Sequence, residues 1–160
     1  MNTIRENYYL MKIYTSYFYQ IRFFPPNLIP LSTAMFDPKW YHKPEERYYD
    51  KRGVLNGMRA EPFVPGPQLL GLCTGRKSCD GKPQVCDFLK GYYQQLQALS
   101  FQEIMQRFKN LERQIGKPCD FALIFYETPS NPCSERVMVQ KWFREKGYKI
   151  TEWERNESNV

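Results

Sequence analysis

The stretch that decides the fold is FALIFYETPSNPCSER, residues 121–136, followed by VMVQKWFR, residues 137–144. A nearly continuous apolar run ends at Tyr126, a turn rich in Pro, Ser and Asn follows, and apolar residues then recur at helical spacing. This order predicts a buried strand that leads into a helix. In parallel α/β sheets, ligands bind where strands end and helix N-termini expose their N–H groups. We therefore expect the functional site at this junction.

Composition limits the class of protein. The chain has 160 residues, of which 42% are apolar and 16% aromatic, and its formal net charge is +6. That length is enough for one domain with a core. No stretch approaches the roughly 20 apolar residues that a membrane span needs, and the N-terminal residues lack a signal-peptide core. We expect a cytoplasmic protein whose five Cys are thiols or metal ligands and not disulfides.

Other strands and helices are predicted on both sides of the junction. Residues rich in β-formers predict strands over 11–17, 28–32 and 148–153, and Pro30 favours an edge position for the second. Apolar residues at helical spacing predict helices over 85–96 and 101–115. Ser100 and Glu103 form a capping box before the second of these helices, and Gly116 and Pro118 stop it.

The order of these elements predicts the architecture. Strands that alternate with helices indicate an α/β domain with a mostly parallel sheet flanked by helices. We assign residues 1–153 to this single domain, with an irregular insertion at about 53–84, and residues 154–160 to a frayed polar tail. Irregular segments of that length are usually functional or disordered.

Four segments together resemble an uncharacterised family of phage and bacterial proteins, catalogued as domain of unknown function 488. They are IYTSY at 13–17, IR at 21–22 with NLIPLS at 27–32, PKWY at 38–41, and the strand ending at 126–127 with its Cys-bearing turn and a helix that contains Trp142. The family's usual turn carries Cys-His-Arg, whereas residues 133–136 here are Cys-Ser-Glu-Arg, without the His. The resemblance covers most of the chain except about 53–85. It implies an α/β domain of Rossmann-like character and no settled activity.

The junction collects side chains that can do chemistry. Glu127, at the end of the strand, is the candidate general base, or it orients a sugar hydroxyl. Arg136 is the candidate anion ligand, because a guanidinium holds phosphate or carboxylate in a bidentate manner. Ser134 or Asn131 caps the helix and adds ligand contacts, and we expect Cys133 in the first helical turn, where the dipole lowers a thiol pKa. The alternative is an ordinary capped helix in which Glu127 and Arg136 pair.

Side chains near the other strand ends complete the candidate site. Tyr14, Ser16 and Ser32 offer hydroxyls for a sugar or phosphate, or else they bond locally within their strands. Trp40 or Tyr41 is placed to stack on a base, or else to pack over the core.

The cysteines in the irregular segment do not predict a metal site. Cys73, Cys79 and Cys86 are spaced at intervals of six and seven residues, whereas structural zinc takes four ligands, commonly as close Cys pairs. We expect no metal and no cofactor.

Two functional hypotheses follow. The first is an enzyme that acts on a nucleotide, nucleoside or nucleic-acid base, with an anion site at the N-terminus of the last helix. The second is a non-catalytic module that binds a nucleotide signal, DNA or a protein partner. The basic charge favours a small anionic ligand or nucleotide, with weak nonspecific nucleic-acid binding at most and no membrane partner. A pocket in which a carboxylate has a raised pKa would favour the enzyme. An ion pair between Glu127 and Arg136 that is open to solvent would favour a structural role.

Overall fold

The computed structural model describes residues 11–43, 46–72, 82–83 and 86–155. The strands in these ranges are β1 Ile13–Tyr17, β2 Leu28–Ser32, β3 Tyr48–Tyr49, β4 Leu55–Asn56, β5 Asp120–Phe125 and β6 Thr151–Glu152. The α-helices are α1 Asp87–Gln97, α2 Phe101–Ile115 and α3 Glu135–Glu145. The predicted helices and the three longer strands are confirmed to within a few residues, whereas the closing strand is limited to Thr151–Glu152.

Four strands form one parallel sheet in the order β2–β5–β1–β6. The central strand β5 pairs with β1 from Ile13↔Phe121 to Tyr17↔Phe125 and with β2 from Leu28↔Asp120 to Ser32↔Ile124. This all-parallel sheet with flanking helices gives the chain a Rossmann-like α/β fold, as predicted. β2 lies at one end of the four-stranded order, which agrees with the edge position that Pro30 favours.

Different layers cover the two faces of the sheet. Because successive residues of a strand point to opposite faces, β5 divides its side chains between two apolar clusters. Phe121, Leu123 and Phe125 pack in the cluster that also contains the buried side chains of all three helices. Ala122 and Ile124 pack in a second cluster, which is rich in aromatic residues from the segments that follow β1 and β2.

Local sequence explains where α2 begins and ends. The Ser100 side chain accepts a hydrogen bond from the Glu103 backbone N–H at 3.3 Å. Gly116 follows the helix with φ of +87°, in the left-handed region that glycine adopts at little cost. The serine cap and the glycine stop were both predicted.

The segment predicted as an irregular insertion contributes to the core where it is described. Val54, Met58, Phe63 and Leu69 are buried, and β4 pairs with β3 in antiparallel fashion. Single apolar residues separated by Pro and Gly have no helical or strand period, so their burial has no local signal.

The polar tail is held where it is described. The Tyr17 hydroxyl donates a hydrogen bond to the Glu154 carboxylate at 3.1 Å, and the Arg155 backbone N–H donates to Gln20 Oε1 at 2.8 Å. The rest of the predicted frayed tail, residues 156–160, lies outside the described residues. None of the helices in the described ranges is long and apolar enough to cross a membrane.

Candidate functional site

A cavity of about 400 Å³ lies beside the carboxyl ends of β2 and β5. The described residues that line it are Thr33–Phe36, Pro65, Leu69–Gly71, Phe88, Phe125–Glu127 and Glu135. Most of this wall is apolar. Glu127 and Glu135 supply its only carboxyl groups among these lining residues, and Lys, Arg and His are absent from the same set.

The strand-to-helix junction brings the two carboxyl groups together. Glu127 follows the last residue of β5 by two positions, and Glu135 is the first residue of α3. The intervening turn is stabilised locally, since the Cys133 backbone N–H donates to Asn131 Oδ1 at 2.9 Å. Both ends of the turn therefore face the cavity, at the place where the sequence predicted the site.

Glu135 is strongly affected by its surroundings. Burial raises its pKa, and the charge of Glu127 and a hydrogen bond between the two carboxyl groups raise that pKa further, to about 7. Glu127 Oε1 is buried and has no hydrogen-bond partner among the described residues. Glu135 therefore keeps its proton closer to neutral pH than an isolated carboxyl group does. The raised carboxyl pKa that the sequence reasoning sought at Glu127 is found at its neighbour Glu135.

Arg136 lies under the junction and not among the lining residues of the cavity. Its side chain is 3% exposed, and Nε donates to Glu152 Oε1 at 2.7 Å. Nη2 donates to the main-chain oxygens of Glu127 at 2.7 Å and Ser16 at 3.2 Å. The predicted pair between the Arg136 and Glu127 side chains is absent from the described ion pairs. An enclosed guanidinium already paired with Glu152 gives no support to the predicted anion site.

The other junction residues have local structural contacts. Ser134 is buried and is the N-cap of α3, because its side chain accepts from the Arg136 backbone N–H at 3.1 Å. Asn131 is exposed in the turn. Cys133 is partly exposed and precedes the N-cap, whereas the sequence placed it in the first helical turn.

The three predicted strand hydroxyls lie away from the lining of the cavity. Ser16 is buried and donates to the Trp153 main-chain oxygen at 2.7 Å. Ser32 is buried and donates to the carboxylate of Asp37. Tyr14 is half-buried and packs against the second apolar cluster. These contacts agree with the alternative prediction, in which the hydroxyls form local hydrogen bonds. The two serine hydroxyls have no exposed surface for a ligand.

The two aromatic residues predicted to stack on a base have different surroundings. Tyr41 is fully buried, and its hydroxyl lies 2.6 Å from the Met58 main-chain oxygen and 3.0 Å from that of Pro30. Burial raises the pKa of Tyr41 well above its usual value. Tyr41 is therefore a residue of the core, and its ring does not face a ligand. Trp40 is 49% exposed and makes an edge contact with Phe18, with ring centroids 6.1 Å apart, outside the cavity lining.

Two aromatic residues that were not predicted from the sequence lie in the cavity lining, and the ring of one of them, Tyr126, packs against Phe18 with centroids 4.8 Å apart. Phe36 is 74% exposed and Tyr126 is 51% exposed, and both line it. The Tyr126 hydroxyl donates to the Phe36 main-chain oxygen at 2.5 Å. Tyr126 was visible as the end of the apolar run, but nothing in the sequence brings Phe36 to it across 90 residues. The sequence likewise indicated only that Glu135 lies near the start of a helix, and not that it lines the cavity.

The single His of the chain belongs to a separate ionic cluster. His42 Nε2 lies 2.7 Å from the Asp37 carboxylate, and Arg59 Nη1 lies 2.8 Å from the same oxygen. Asp37 is 5% exposed and also accepts from Ser32, so it ties the loop after β2 to the neighbouring segment. His42 is thus engaged with Asp37 and is not among the lining residues of the cavity.

Within the described ranges, no group of three or more His, Cys, Asp or Glu residues is placed to hold a metal ion. Cys73 and Cys79 lie outside the described residues. Cys86 and Cys119 are buried, and burial raises the pKa of the Cys119 thiol to about 11. A thiol with so high a pKa is a poor nucleophile at neutral pH.

Comparison of the chain with models of protein families, with curated proteins and with solved structures finds no match. The resemblance to the family of domain of unknown function 488 accordingly stays a prediction from sequence.

Proposed function

We propose that this chain is an enzyme that performs general acid–base catalysis on a nucleoside, nucleotide or nucleic-acid base bound in the cavity beside β2 and β5. The observation that carries the proposal is the pair of Glu127 and Glu135, two neighbouring carboxyl groups that line one apolar cavity, with the pKa of Glu135 raised to about 7. A catalytic acid or base works best with a pKa near the operating pH. Perturbed carboxyl groups in a cleft favour a functional site.

The pair supplies both halves of acid–base chemistry. In the proposed reaction, Glu127 accepts a proton from the substrate or from a water molecule. Glu135 holds a proton and delivers it to the substrate atom that gains negative charge. One proton enters the pair at Glu127 and one leaves it at Glu135, and transfer of the gained proton from Glu127 to Glu135 through their hydrogen bond restores the starting state.

The cavity walls support the proposed substrate class. Exposed aromatic rings stack on the flat face of a base, and such stacking contributes roughly 1–3 kcal/mol for each base. Phe36 and Tyr126 are exposed aromatic residues in the same cavity lining as the two carboxyl groups. The net charge of +6 favours the approach of nucleotides and polynucleotides to the protein as a whole. The anion site first expected at Arg136 forms no part of this proposal.

A binding module for a nucleotide signal is the second candidate. It would use the same cavity and aromatic rings without chemistry. Turnover separates the two functions, because a module binds its ligand and releases it unchanged.

The test is incubation of the protein with a panel of nucleosides, nucleotides and free bases, with products followed by liquid chromatography and mass spectrometry. We expect turnover of at least one compound and a loss of about 100-fold or more in Glu127→Gln and Glu135→Gln, the usual scale for removal of an acid or base. Glu145→Gln, which changes an exposed carboxylate of the same helix, is the matched control and keeps the activity. Binding without turnover would establish the module instead. Turnover that survives both cavity substitutions would refute the assigned mechanism.

A further inference from the structure

The lining of the cavity narrows the class of ligand. We propose that it takes a phosphate-free base or nucleoside that carries an exocyclic amino group, as adenine, cytosine and guanine do, and that the Glu127–Glu135 pair binds the amino-bearing edge. The inference rests on the proposed function, since it concerns the same cavity.

Charge excludes a phosphate from the interior of this cavity. The described lining residues include two carboxyl groups and no basic side chain. The nearby Arg136 is 3% exposed and neutralised by Glu152 at 2.7 Å. A phosphate placed here would meet like charge at short range without a cation among the described lining residues to pair with, and both effects are unfavourable. A neutral nucleoside avoids this repulsion.

Hydrogen-bonding capacity selects the amino group. The hydrogen bond between the two carboxyl groups engages the proton of Glu135, so the lone pairs left for a ligand are acceptors. Glu127 Oε1 already lacks a donor among the described residues, although it is buried. Adenine and cytosine present an amino donor on the edge that pairs in a duplex. An amino group can donate its two N–H groups to the two carboxyl groups. An oxygen at that position is a further acceptor beside oxygens that need donors, and the ring N–H next to it is a single donor.

The apolar part of the wall suits the rest of the ligand. The exposed residues Phe36 and Tyr126 are part of the lining, and Phe88 and Phe125 line the cavity from α1 and β5. A cavity with apolar and aromatic walls and a few convergent polar groups is the usual form of a small-molecule site. Here the polar groups that can orient a base are the two carboxyl groups.

Isothermal titration calorimetry at pH 7 with matched ligands tests the inference. Adenosine is compared with inosine, and cytidine with uridine, since each pair differs at the amino group. Adenosine is also compared with its 5′-monophosphate. We expect the amino-bearing, phosphate-free member of each pair to bind about tenfold more tightly or better, on the scale of one hydrogen bond to a charged group.

Variants assign the preference to the pair. Glu127→Gln, with its fold checked by circular dichroism, should reduce the preference for adenosine over inosine severalfold, because the amide replaces an acceptor with a donor. Glu145→Gln should leave it unchanged. Phe36→Ala removes an exposed ring and should weaken adenosine and inosine alike, by about fivefold or more.

The outcomes of this experiment are separate from those of the turnover assay. Equal binding of adenosine and inosine, tighter binding of the monophosphate, or no binding of any nucleoside would overturn the inference. Any of these results leaves the acid–base proposal standing if turnover requires Glu127 and Glu135. Amino-selective binding without turnover would support the inference and assign the cavity to a binding module.

Discussion

The guanidinium of Arg136 donates to the main-chain oxygen of Glu127 at 2.7 Å, while its ion pair is with the carboxylate of Glu152. A second donation reaches the Ser16 main-chain oxygen at 3.2 Å. One buried side chain of α3 thus joins the end of β5 to the end of β1 and to β6. Arg136 fixes the backbone at the point where the Glu127 side chain enters the cavity. Because Arg136 does not pair with the Glu127 carboxyl group, that group is able to interact with Glu135.

Replacement of Arg136 by Ala should destabilise the protein strongly. The change leaves Glu152 partly buried without its cation, and loss of one partner of a buried ion pair typically costs about 3–5 kcal/mol. Urea denaturation measures the change in the free energy of unfolding. Arg113→Ala is the control, because Arg113 is exposed on α2 and should change that free energy by less than about 0.5 kcal/mol. Similar small values for both variants would contradict the structural role of Arg136.

The stability of the protein should depend on pH through Glu135. Its pKa is raised from 4.5 to about 7 in the folded state. Between these two pH values the folded protein keeps a proton that the unfolded chain has released. The free energy of unfolding therefore falls as pH rises from about 4.5 to about 7, and the contribution of Glu135 does not change further at higher pH. Glu135→Gln removes the effect. The variant should gain stability relative to the wild type as pH rises from 5 to 8, by at most about 3 kcal/mol.

Chemical denaturation at several pH values measures this dependence. Glu145→Gln changes an exposed carboxylate in the same helix and should keep the wild-type dependence on pH. A wild-type curve parallel to that of Glu135→Gln from pH 5 to 8 would show that the Glu135 pKa is not raised.

Tyr41→Phe should destabilise the fold without affecting ligand binding. The substitution removes a buried hydroxyl that hydrogen-bonds to the main-chain oxygens of Met58 and Pro30. A buried polar group left without its partner lowers the free energy of unfolding by about 1–3 kcal/mol. Thermal or urea denaturation measures the loss. Tyr49→Phe is the matched control, because Tyr49 is 57% exposed. If Tyr41→Phe instead leaves stability unchanged and abolishes nucleoside binding, the core assignment of Tyr41 is wrong.

Binding to nucleic acid should be weak and sensitive to salt. The net charge of +6 and the aromatic-rich segment 40–49 favour nonspecific contacts, and release of counterions makes such binding fall steeply as salt increases. Gel-shift or fluorescence-anisotropy titrations should detect complexes at low salt that disappear near physiological ionic strength. Tight, sequence-specific binding at that ionic strength would favour a DNA-binding module over the enzyme.

Much of the fold was predictable because its signals are local. The apolar period over 101–115, the Ser100 cap and the Gly116 stop involve residues within one or two helical turns of each other. The run at 121–126 predicted the central strand, and its turn predicted α3 with a Ser134 cap. The core role of residues 54–69 was missed, since their isolated apolar residues have no period.

One predicted residue, Glu127, lies in the cavity wall, whereas most of the other residues of that wall were not predicted. Glu127 was selected because it ends the central strand, and the structure places it in the cavity wall. Its partner Glu135 was overlooked, because two carboxyl groups eight residues apart become neighbours only when the turn between them folds back. Phe36 reaches Tyr126 from a different loop, and Arg136 reaches Ser16 across 120 residues of sequence. No spacing rule describes contacts over such separations.

The sequence by itself determined the strands and helices, the helix caps and the strand-to-helix junction that carries Glu127, because propensity, period and capping act between near neighbours in the chain. Only the tertiary structure decided that Glu135 shares the cavity with Glu127 and that Arg136 forms a buried ion pair. It also decided that the exposed aromatic residues of the cavity lining are Phe36 and Tyr126 and not Trp40 and Tyr41. Those outcomes depend on the parallel pairing of β1, β2 and β5, which brings distant loops to one edge of the sheet. Burial at that edge then sets the charge and pKa of the side chains it encloses.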